Sequence, residues 1–436
     1  MKHRDKSISS IFAVFLAFTV SFPAYSARNV FDLVDLGTLG GTDSVAQAIN
    51  EADQVVGIST TESGVVHAFL WDATNGMMDL GQIGGPPRNR CTETVQLNEA
   101  GQVAVSCSDF NGEPHAALWD PVEQSLTDLG TLGGTYSSVR AINQAGQVIG
   151  YSNTAQYDDS NNESHGFFWD AGDGMMSFGE LLENTQSSFV NAINETGQVV
   201  GSTYIDGVYE AFIWHKDNGI ERLGTLGGYY SNPTDINEAG LVIGSSETAP
   251  YGEPGYAYQG FIWDADNGIR PIAVAEGKNS TVIAINEAGQ VIGTGSNDLN
   301  EQRAFIWQDG VMTDLGTLGG TNIELKAINE AGQVIGRGTT ASGESHAFIW
   351  QDGVMTDLDE SAVASHVVAI NEAGQVAGYD SVPTGKTDER GYPVYERTGF
   401  VWENGVKNDL GILGSVRAIN EAGMVVGENA EGHGYV

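Results

Sequence analysis

Positive charge is scarce in this sequence: Lys and Arg number 19 against 57 Asp and Glu, and the formal net charge is −38. A protein that binds nucleic acid needs Lys and Arg to replace the counterions of the phosphates. The composition therefore excludes a nucleic-acid partner and disfavours anionic membrane surfaces. It suits solubility or a cationic partner instead.

Long apolar segments are also scarce. The one clear run, IFAVFLAFTV at 11–20, is too short to span a bilayer, and no other segment approaches a membrane span. Lys2, Arg4 and Lys6 precede this run and small residues at 24–26 follow it, which is the pattern of a secretory signal. The sequence thus predicts a signal peptide at 1–26, a mature domain at 27–436, no membrane insertion, and a secreted or periplasmic location.

Cysteine occurs only twice, as Cys91 and Cys107. These cysteines flank one predicted hairpin turn, Asn98 to Gly101, so that both lie at the open end of the same hairpin. An oxidising compartment permits a disulfide, and we expect these two residues to form one. Two buried free thiols are the alternative.

Catalytic signatures are missing. The sequence contains no GxSxG, no HExxH and no phosphate-binding glycine loop, so it predicts no catalytic residue, no metal site and no cofactor. One oxygen-rich segment, DDSNNE at 158–163, is a weak calcium candidate because it lacks the ligand spacing and central glycine of an EF-hand loop.

What the sequence does have is repetition. The segment INEAGQVIG, or a variant of it, recurs nine times at a mean spacing of about 46 residues. A second segment, HAFIW, follows each copy and contains all eight tryptophans, although its ninth copy is a shortened HGYV; a third, DLGTLGG, is partly decayed. The turn asparagines of the nine units are Asn50, Asn98, Asn143, Asn194, Asn237, Asn286, Asn329, Asn371 and Asn420.

Each unit predicts four short strands, named A to D in chain order. Strand A ends in Ala-Ile-Asn, and the sequence Asn-Glu-Ala-Gly suits a type I turn closed by a glycine in the left-handed region. Strand B is QVIGYS and strand C is HAFIW, and an Asp-Gly or Asn-Gly turn leads to strand D. Strand C is apolar on both faces, so each sheet must be packed on both sides, as the blades of a β-propeller are.

The order of the segments predicts a closed ring. Residues 29–37 read as a lone strand D, whereas 416–436 read as strands A, B and C of a last unit. These two segments make a ninth four-stranded blade only if they pair with each other. The prediction is an all-β, nine-bladed, monomeric propeller; an open solenoid would instead need polar capping repeats.

The three motifs together resemble the HAF-repeat family of extracellular bacterial repeat proteins, over residues 30–436. The resemblance implies secretion and tandem repeats. It brings no activity and no catalytic residues with it.

The loops between strands B and C are longest in the third, fifth and eighth units, at 151–164, 245–258 and 379–397. They contain eight of the fifteen tyrosines. Loops held by a rigid scaffold often carry function, and tyrosine offers contact area at a low entropy cost. This B–C loop face is the predicted binding surface, although insertions without a partner are the alternative. The candidate binding residues are Tyr157, Tyr251, Tyr256, Tyr258, Tyr392 and Tyr395.

Two other positions recur. A glutamate follows the turn asparagine in eight units, which predicts either a solvated acidic ring or a cation site. A histidine precedes strand C in five units; one histidine per blade is too widely spaced for a metal ion, so hydrogen bonds to a neighbouring turn are expected. These residues are Glu51, Glu99, Glu195, Glu238, Glu287, Glu330, Glu372 and Glu421, and His67, His115, His165, His346 and His433.

The leading hypothesis is an exported, non-enzymatic binding scaffold that recognises a protein, glycan or cation through the B–C loop face. The alternative is a glycan hydrolase or lyase with its site at the central channel, an analogy that rests on the fold alone.

Overall fold

The structure, a computed structural model, describes residues 32–81, 91–108, 111–154, 164–182, 185, 187–274, 278–299, 301–358, 364–388 and 390–436. Residues 32–436 form one compact unit, and the predicted signal peptide lies outside the described residues. Within the described ranges, no helix is long and apolar enough to cross a membrane.

The first six units each form a separate antiparallel sheet with the strand order A, B, C, D. The first three sheets contain β2 (Gly40–Ile49), β3 (Val55–Thr61), β4 (Val66–Asp72) and β5 (Gly76–Asp79); β6 (Cys91–Leu97), β7 (Val103–Ser108), β8 (Pro114–Asp120) and β9 (Ser125–Asp128); and β10 (Ser137–Ile142), β11 (Val148–Asn153), β12 (Ser164–Asp170) and β13 (Gly174–Ser177). The next three contain β14 (Ser187–Ile193), β15 (Val199–Ile205), β16 (Val208–His215) and β17 (Gly219–Gly224); β18 (Ser231–Ile236), β19 (Val242–Glu247), β20 (Tyr258–Asp264) and β21 (Gly268–Ile272); and β22 (Ser280–Ile285), β23 (Val291–Ser296), β24 (Gln302–Gln308) and β25 (Val311–Asp314).

The last three units share one eleven-stranded sheet. A parallel pairing of Ser345 with Ala364 joins the seventh unit to the eighth, and β33 (Val406–Ile419) serves first as strand D of the eighth unit and then as strand A of the ninth. The described residues therefore form nine four-stranded blades. The remaining strands are β26 (Gly319–Ile328), β27 (Val334–Thr340), β28 (Ser345–Gln351), β29 (Val354–Asp357), β30 (Ala364–Ile370), β31 (Val376–Thr387), β32 (Pro393–Glu403), β34 (Val425–Asn429), β35 (Gly434–Tyr435) and β1 (Asp35–Gly37).

The chain closes into a ring as predicted. Strand β1 pairs antiparallel with β35, with Asp35 opposite Tyr435 and Gly37 opposite Gly434. The backbone N–H and C=O groups of Val34 and Val436 bond each other reciprocally, at 2.9 and 3.1 Å. Strand A of every unit also contacts strand A of both neighbouring units, so the nine A strands surround the central axis. The architecture is a closed β-propeller.

The turn asparagines link neighbouring blades through hydrogen bonds. Each side chain donates from Nδ2 to the backbone carbonyl of the equivalent asparagine in the next unit, at 3.0–3.2 Å, and Asn420 completes the circle by donating to Asn50. These asparagines are all buried. A closed set of buried hydrogen bonds therefore runs around the whole ring.

The glutamates that follow these asparagines form a second, exposed ring. The backbone N–H of each donates to the carboxylate of the next unit's glutamate, and the bond from Glu421 to Glu51 closes this ring. Gln144 takes the same place in the third unit through its amide oxygen. These glutamates are exposed, as the solvated interpretation expects, and their carboxylates also join successive blades.

Inside each blade, a glycine of strand B makes room for an aromatic ring of strand C. Gly57 pairs with Phe69 and Gly150 pairs with Phe167, and both rings are fully buried. A Cβ atom on Gly57 would lie 2.9 Å from the ring of Phe69. The second unit reverses the sizes, since Val105 lies opposite Ala117. The prediction that the strand C phenylalanines belong to the core is confirmed.

Cys91 and Cys107 form the predicted disulfide. They lie directly opposite each other on strands A and B of the second unit. Other units place buried serines at this cross-strand position, as in the pairs Ser44–Ser59 and Ser137–Ser152. The disulfide thus replaces a polar pair that the fold uses elsewhere.

Two local features differ from the sequence prediction. A four-residue helix, α1 (Phe178–Leu181), follows β13, with the Ser177 side chain capping it by accepting from the N–H of Gly179. In the eighth unit, the extra residues do not form a loop but lengthen β31 and β32 into a projecting hairpin.

Candidate binding face

The antiparallel strand order places the A–B and C–D turns at one end of the propeller. The B–C loops and the connections from strand D to the next strand A therefore lie together at the other end, on the B–C loop face. Residues from the B–C loop of one unit and from the D–A connection of the next can thus meet there.

Four tyrosines do meet across the fourth and fifth blades. Tyr204 and Tyr209 are a cross-strand pair of the fourth blade, with ring centroids 4.6 Å apart. The ring of Tyr209 lies 6.1 Å from that of Tyr230, which lies 5.5 Å from that of Tyr258 in the fifth blade. We call Tyr204, Tyr209, Tyr230 and Tyr258 the tyrosine ladder.

The backbone holds the ladder in place. The N–H of Tyr209 donates to the carbonyl of Tyr229 at 2.9 Å, and Tyr209 and Tyr230 form an isolated parallel β-bridge between the two blades. Tyr204 and Tyr209 pair across strands. The N–H of Glu247, which pairs with Tyr258, donates to the carbonyl of Tyr230 at 2.9 Å. Tyr209 remains 38% exposed and the neighbouring Tyr229 57% exposed, which leaves an aromatic surface available for contact.

Glu247 lies beside the ladder, opposite Tyr258 in the strand register. Its carboxylate accepts the backbone N–H of Tyr229 at 3.2 Å and the hydroxyl of Tyr256 at 3.4 Å. Burial, together with a hydrogen bond to Tyr230, raises the pKa of Tyr258. The surface therefore combines neutral phenol groups, which donate and accept hydrogen bonds, with a carboxylate acceptor.

The six candidate tyrosines occupy different places on this face. Tyr258 belongs to the ladder, and the rings of Tyr251 and Tyr256 pack against each other at 5.2 Å. Tyr392 and Tyr395 lie on the projecting hairpin of the eighth unit and are exposed, and no ring contact between described residues joins them to the fifth blade. Tyr157 lies outside the described residues.

Sequence reasoning missed Tyr204, Tyr209 and Tyr230. The B–C turn of the fourth unit, at Asp206-Gly207, is short, so loop length gives no signal for Tyr204 and Tyr209. Tyr230 belongs to a D–A connection, whereas the predicted binding surface rests on the B–C loops alone. A signal was present, because Tyr229-Tyr230 follows the Gly-Gly of the third motif, where the complete copies continue with threonine.

The histidines before strand C make hydrogen bonds to neighbouring strands. In four units the ring Nδ1 lies 2.7–3.1 Å from an aspartate of strand D, as in His67–Asp79 and His346–Asp357, and in the third unit His165 lies 3.2 Å from the Ser188 hydroxyl. The expected hydrogen bonds are present, but the usual partner is strand D of the same blade and not a neighbouring turn.

One cluster has the residue types of a cation site. Asp35, Glu431 and His433 have potential ligand atoms within 4.8 Å of one another. His433 and Asp35 form the histidine–aspartate pair that other blades also contain. The pairing of the strands therefore explains why two of the three residues lie together. The oxygen-rich segment 158–163 lies outside the described residues.

Comparisons with known proteins identify no family. No protein-family model matches the chain, and no curated protein sequence matches it. Among solved structures, the chain is similar to the β-propeller domain of the Trilobed protease from Pyrococcus furiosus, at 10% identity over 73% of this chain and 96% of that one, with a TM-score of 0.41.

Two peptidases are similar at the same level. For a post-proline cleaving enzyme from Rickettsia typhi, identity is 11% over 84% of this chain and the TM-score is 0.42. For a puromycin-hydrolyzing peptidase of Mycobacterium tuberculosis, identity is 11% over 90% and the TM-score is 0.44. The chain spans only 58% and 59% of their lengths. The strand pairing of this chain shows that it is a β-propeller. The first of the three structures is also described as a β-propeller domain.

Proposed function

We propose that this protein is an exported, non-catalytic scaffold that binds a glycan through the tyrosine ladder on its B–C loop face. The single observation that carries the proposal is the run of ring contacts through Tyr204, Tyr209, Tyr230 and Tyr258. Aromatic faces pack against the apolar faces of sugar rings, and the phenol groups and Glu247 offer hydrogen bonds to sugar hydroxyls.

Export is part of the proposal. It is supported by the signal-like sequence at 1–26 and by the disulfide between Cys91 and Cys107, a bond that persists in oxidising compartments. The three repeated motifs support membership of the HAF-repeat family in the same way. A protein partner at the same face is the alternative within the binding hypothesis.

The experiment is a glycan array probed with the mature protein, followed by calorimetric titration of the glycans that it retains. Tyr209→Ala and Tyr230→Ala each remove one ring from the ladder, and we expect each to weaken binding roughly tenfold, about 1.4 kcal/mol. Tyr392→Ala and Tyr395→Ala are matched controls, since both remove exposed tyrosines from the same face in the eighth unit. Retention of no glycan, or equal losses in the controls and the ladder variants, would contradict the proposal.

The second candidate is a glycan-active enzyme at the channel. A cleft does open beside the A strands of the last three blades, but Glu324 is the one carboxylate among the described residues that line it. Glu324 is paired with Arg337, whose hydrogen bond lowers the pKa of the carboxyl. Glycoside hydrolysis usually needs two carboxyl groups about 5–9 Å apart, so the lining favours a lyase over a hydrolase. Incubation with uronate-containing glycans, monitored for an unsaturated product, tests this candidate.

A further inference from the structure

The cleft between the seventh, eighth and ninth blades collects positive charge on a strongly acidic protein. It has a volume of about 520 Å³, which is in the usual range for small-molecule sites. Four of the chain's 19 Lys and Arg residues line it, together with one histidine and one carboxylate. They are Lys326, Arg337, Arg397, Arg417 and His366, with Glu324.

Three of these cations have no carboxylate partner among the residues that the structure describes. Several basic side chains elsewhere in the described chain pair with acids, as Lys216 does with Asp170 and Lys407 with Asp380. No ion pair between described residues involves Lys326, Arg397 or Arg417, which are all exposed. Asp and Glu are three times as abundant as Lys and Arg in this chain. A cleft lined by cations without acidic partners therefore has a local charge opposite in sign to the net charge of the protein.

The cleft also departs from the repeat. The position after the strand B glycine holds a small side chain in several units, such as Ser202, Ser245 and Thr294, but Arg337 in the seventh. Opposite it, Glu324 accepts two hydrogen bonds from the guanidinium, at 2.7 and 3.0 Å. Arg337 thereby reaches across to the eighth blade with a fixed orientation.

Arg337 determines the tautomer of His366. Its Nη1 lies 2.9 Å from Nε2 of His366, and a guanidinium only donates hydrogen bonds, so Nε2 must be the acceptor. Burial and the charges of Arg337 and Arg397 lower the pKa of His366, in agreement with a neutral ring. The ring proton is therefore on Nδ1, which is buried without a hydrogen-bond partner among the described residues, as is the hydroxyl of Ser415 in the same cleft wall.

Tyr379 orders the opposite part of the wall. Its ring stacks on His366, with centroids 4.9 Å apart and planes within 10°, and the guanidinium carbon of Arg397 lies 4.8 Å from its centroid. Tyr379 thus contacts both the histidine and a cation of the cleft wall. Guanidinium and ammonium groups that lack an acidic partner are the chemistry that recognises an oxygen anion.

We propose that this cleft binds a small organic oxyanion, a carboxylate or phosphate group carried on a molecule of about one sugar ring. Arg397 and Arg417 supply the exposed charges, and His366 and Ser415 lie in the wall behind them. The site is separate from the tyrosine ladder, which belongs to the fourth and fifth blades, so each proposal can fail without the other.

The test is calorimetric titration of the mature protein with D-glucuronate, D-glucose 6-phosphate and D-glucose. Binding of either anion without binding of glucose supports the proposal, and the tighter anion identifies the group. Arg417→Gln and Arg397→Gln each remove a charge from an exposed side chain, and each is expected to raise Kd at least tenfold. Arg140→Gln is the matched control, because Arg140 occupies in the third unit the repeat position of Arg417, three residues before the turn asparagine, and should leave Kd unchanged.

Three results would overturn the proposal: no binding of either anion, equal binding of glucose, or an unchanged Kd in both cleft variants. Comparison with Tyr230→Ala separates the two sites, since that variant should retain anion binding while it loses the glycan.

Discussion

At the scale of single residues, the blade interior depends on the match between a glycine and a phenylalanine. The strand B glycines have ordinary extended backbone, so that the requirement for glycine comes from space and not from a left-handed conformation. A Cβ atom on Gly150 would lie 1.9 Å from the carbonyl oxygen of Ser138 and 2.7 Å from the ring of Phe167. Both neighbours belong to the packed core and cannot move away freely.

Gly150→Ala is therefore expected to destabilise the protein by about 1–3 kcal/mol, the usual cost of overpacking a core. Thermal and urea unfolding measure this effect. Gly172→Ala is the control, since an added Cβ there would have its closest contact at 3.3 Å, with the side chain of Asp170. An equal stability of the two variants would show that the glycine does not make room for the ring.

At the scale of elements, the closing strand is held by a titratable pair. His433 on the last unit and Asp35 on β1 lie 3.0 Å apart. The hydrogen bond to Asp35 raises the pKa of His433 above its ordinary 6.5. Burial alone would raise the pKa of Asp35, but the hydrogen bonds from His433 and Gly37 lower it overall, below 3.8.

These shifts set a pH window for closure. The raised pKa of His433 contributes stability that is fully present below pH 6.5 and is lost as the pH rises through the folded-state pKa. The lowered pKa of Asp35 contributes stability that is present above pH 3.8 and is lost as the pH falls through its folded-state pKa. The pair therefore stabilises the closing strand most between these two values.

His433→Gln should lower Tm most near pH 5 to 6, by the linkage above, and the difference from the unmodified protein should shrink above about pH 8. Asp35→Asn should give the same profile on the alkaline side, because it removes the partner of the same bond. Melting curves across this pH range measure both. A Tm difference that stays constant with pH would contradict the assigned role of the pair.

At the scale of the whole molecule, the architecture was readable from the sequence because every unit repeats the same local signals. Strand C segments that are apolar on both faces, the Asn-Glu-Ala-Gly turn and the offset between the first and last segments predicted the blades and their closure. The disulfide followed from counting back along one hairpin. These interactions lie within one unit, or between the first and last segments of the domain, each of which supplies the strands that the other lacks.

The contacts between blades could not be read in this way. The asparagine and glutamate rings join residues 42–51 positions apart, or 370 apart where each ring closes, and which atom bonds which neighbour depends on how the blades pack. The ladder is similar, since Tyr204, Tyr230 and Tyr258 come from three segments that meet only in the folded ring. The cation-lined cleft combines residues of three blades, so it exists only in the folded ring.

The central claim is that the described chain forms one closed ring of nine blades, and a designed cross-link tests it most directly. Val34 and Val436 form a reciprocal hydrogen-bonded pair, and such pairs have Cα atoms about 5.5 Å apart, within the range that a disulfide spans. The double variant Val34→Cys, Val436→Cys should therefore oxidise readily, alongside the native disulfide.

Non-reducing electrophoresis of the denatured protein, with intact mass after alkylation, is the measurement. The closed ring predicts that the Val34→Cys, Val436→Cys chain migrates faster and takes up no alkyl groups. The control is Val34→Cys, Val311→Cys, because Val311 is an exposed position of the sixth blade. This control should take up two alkyl groups. Two alkyl groups on the Val34→Cys, Val436→Cys protein would show that its ends do not meet, and would contradict the closed ring.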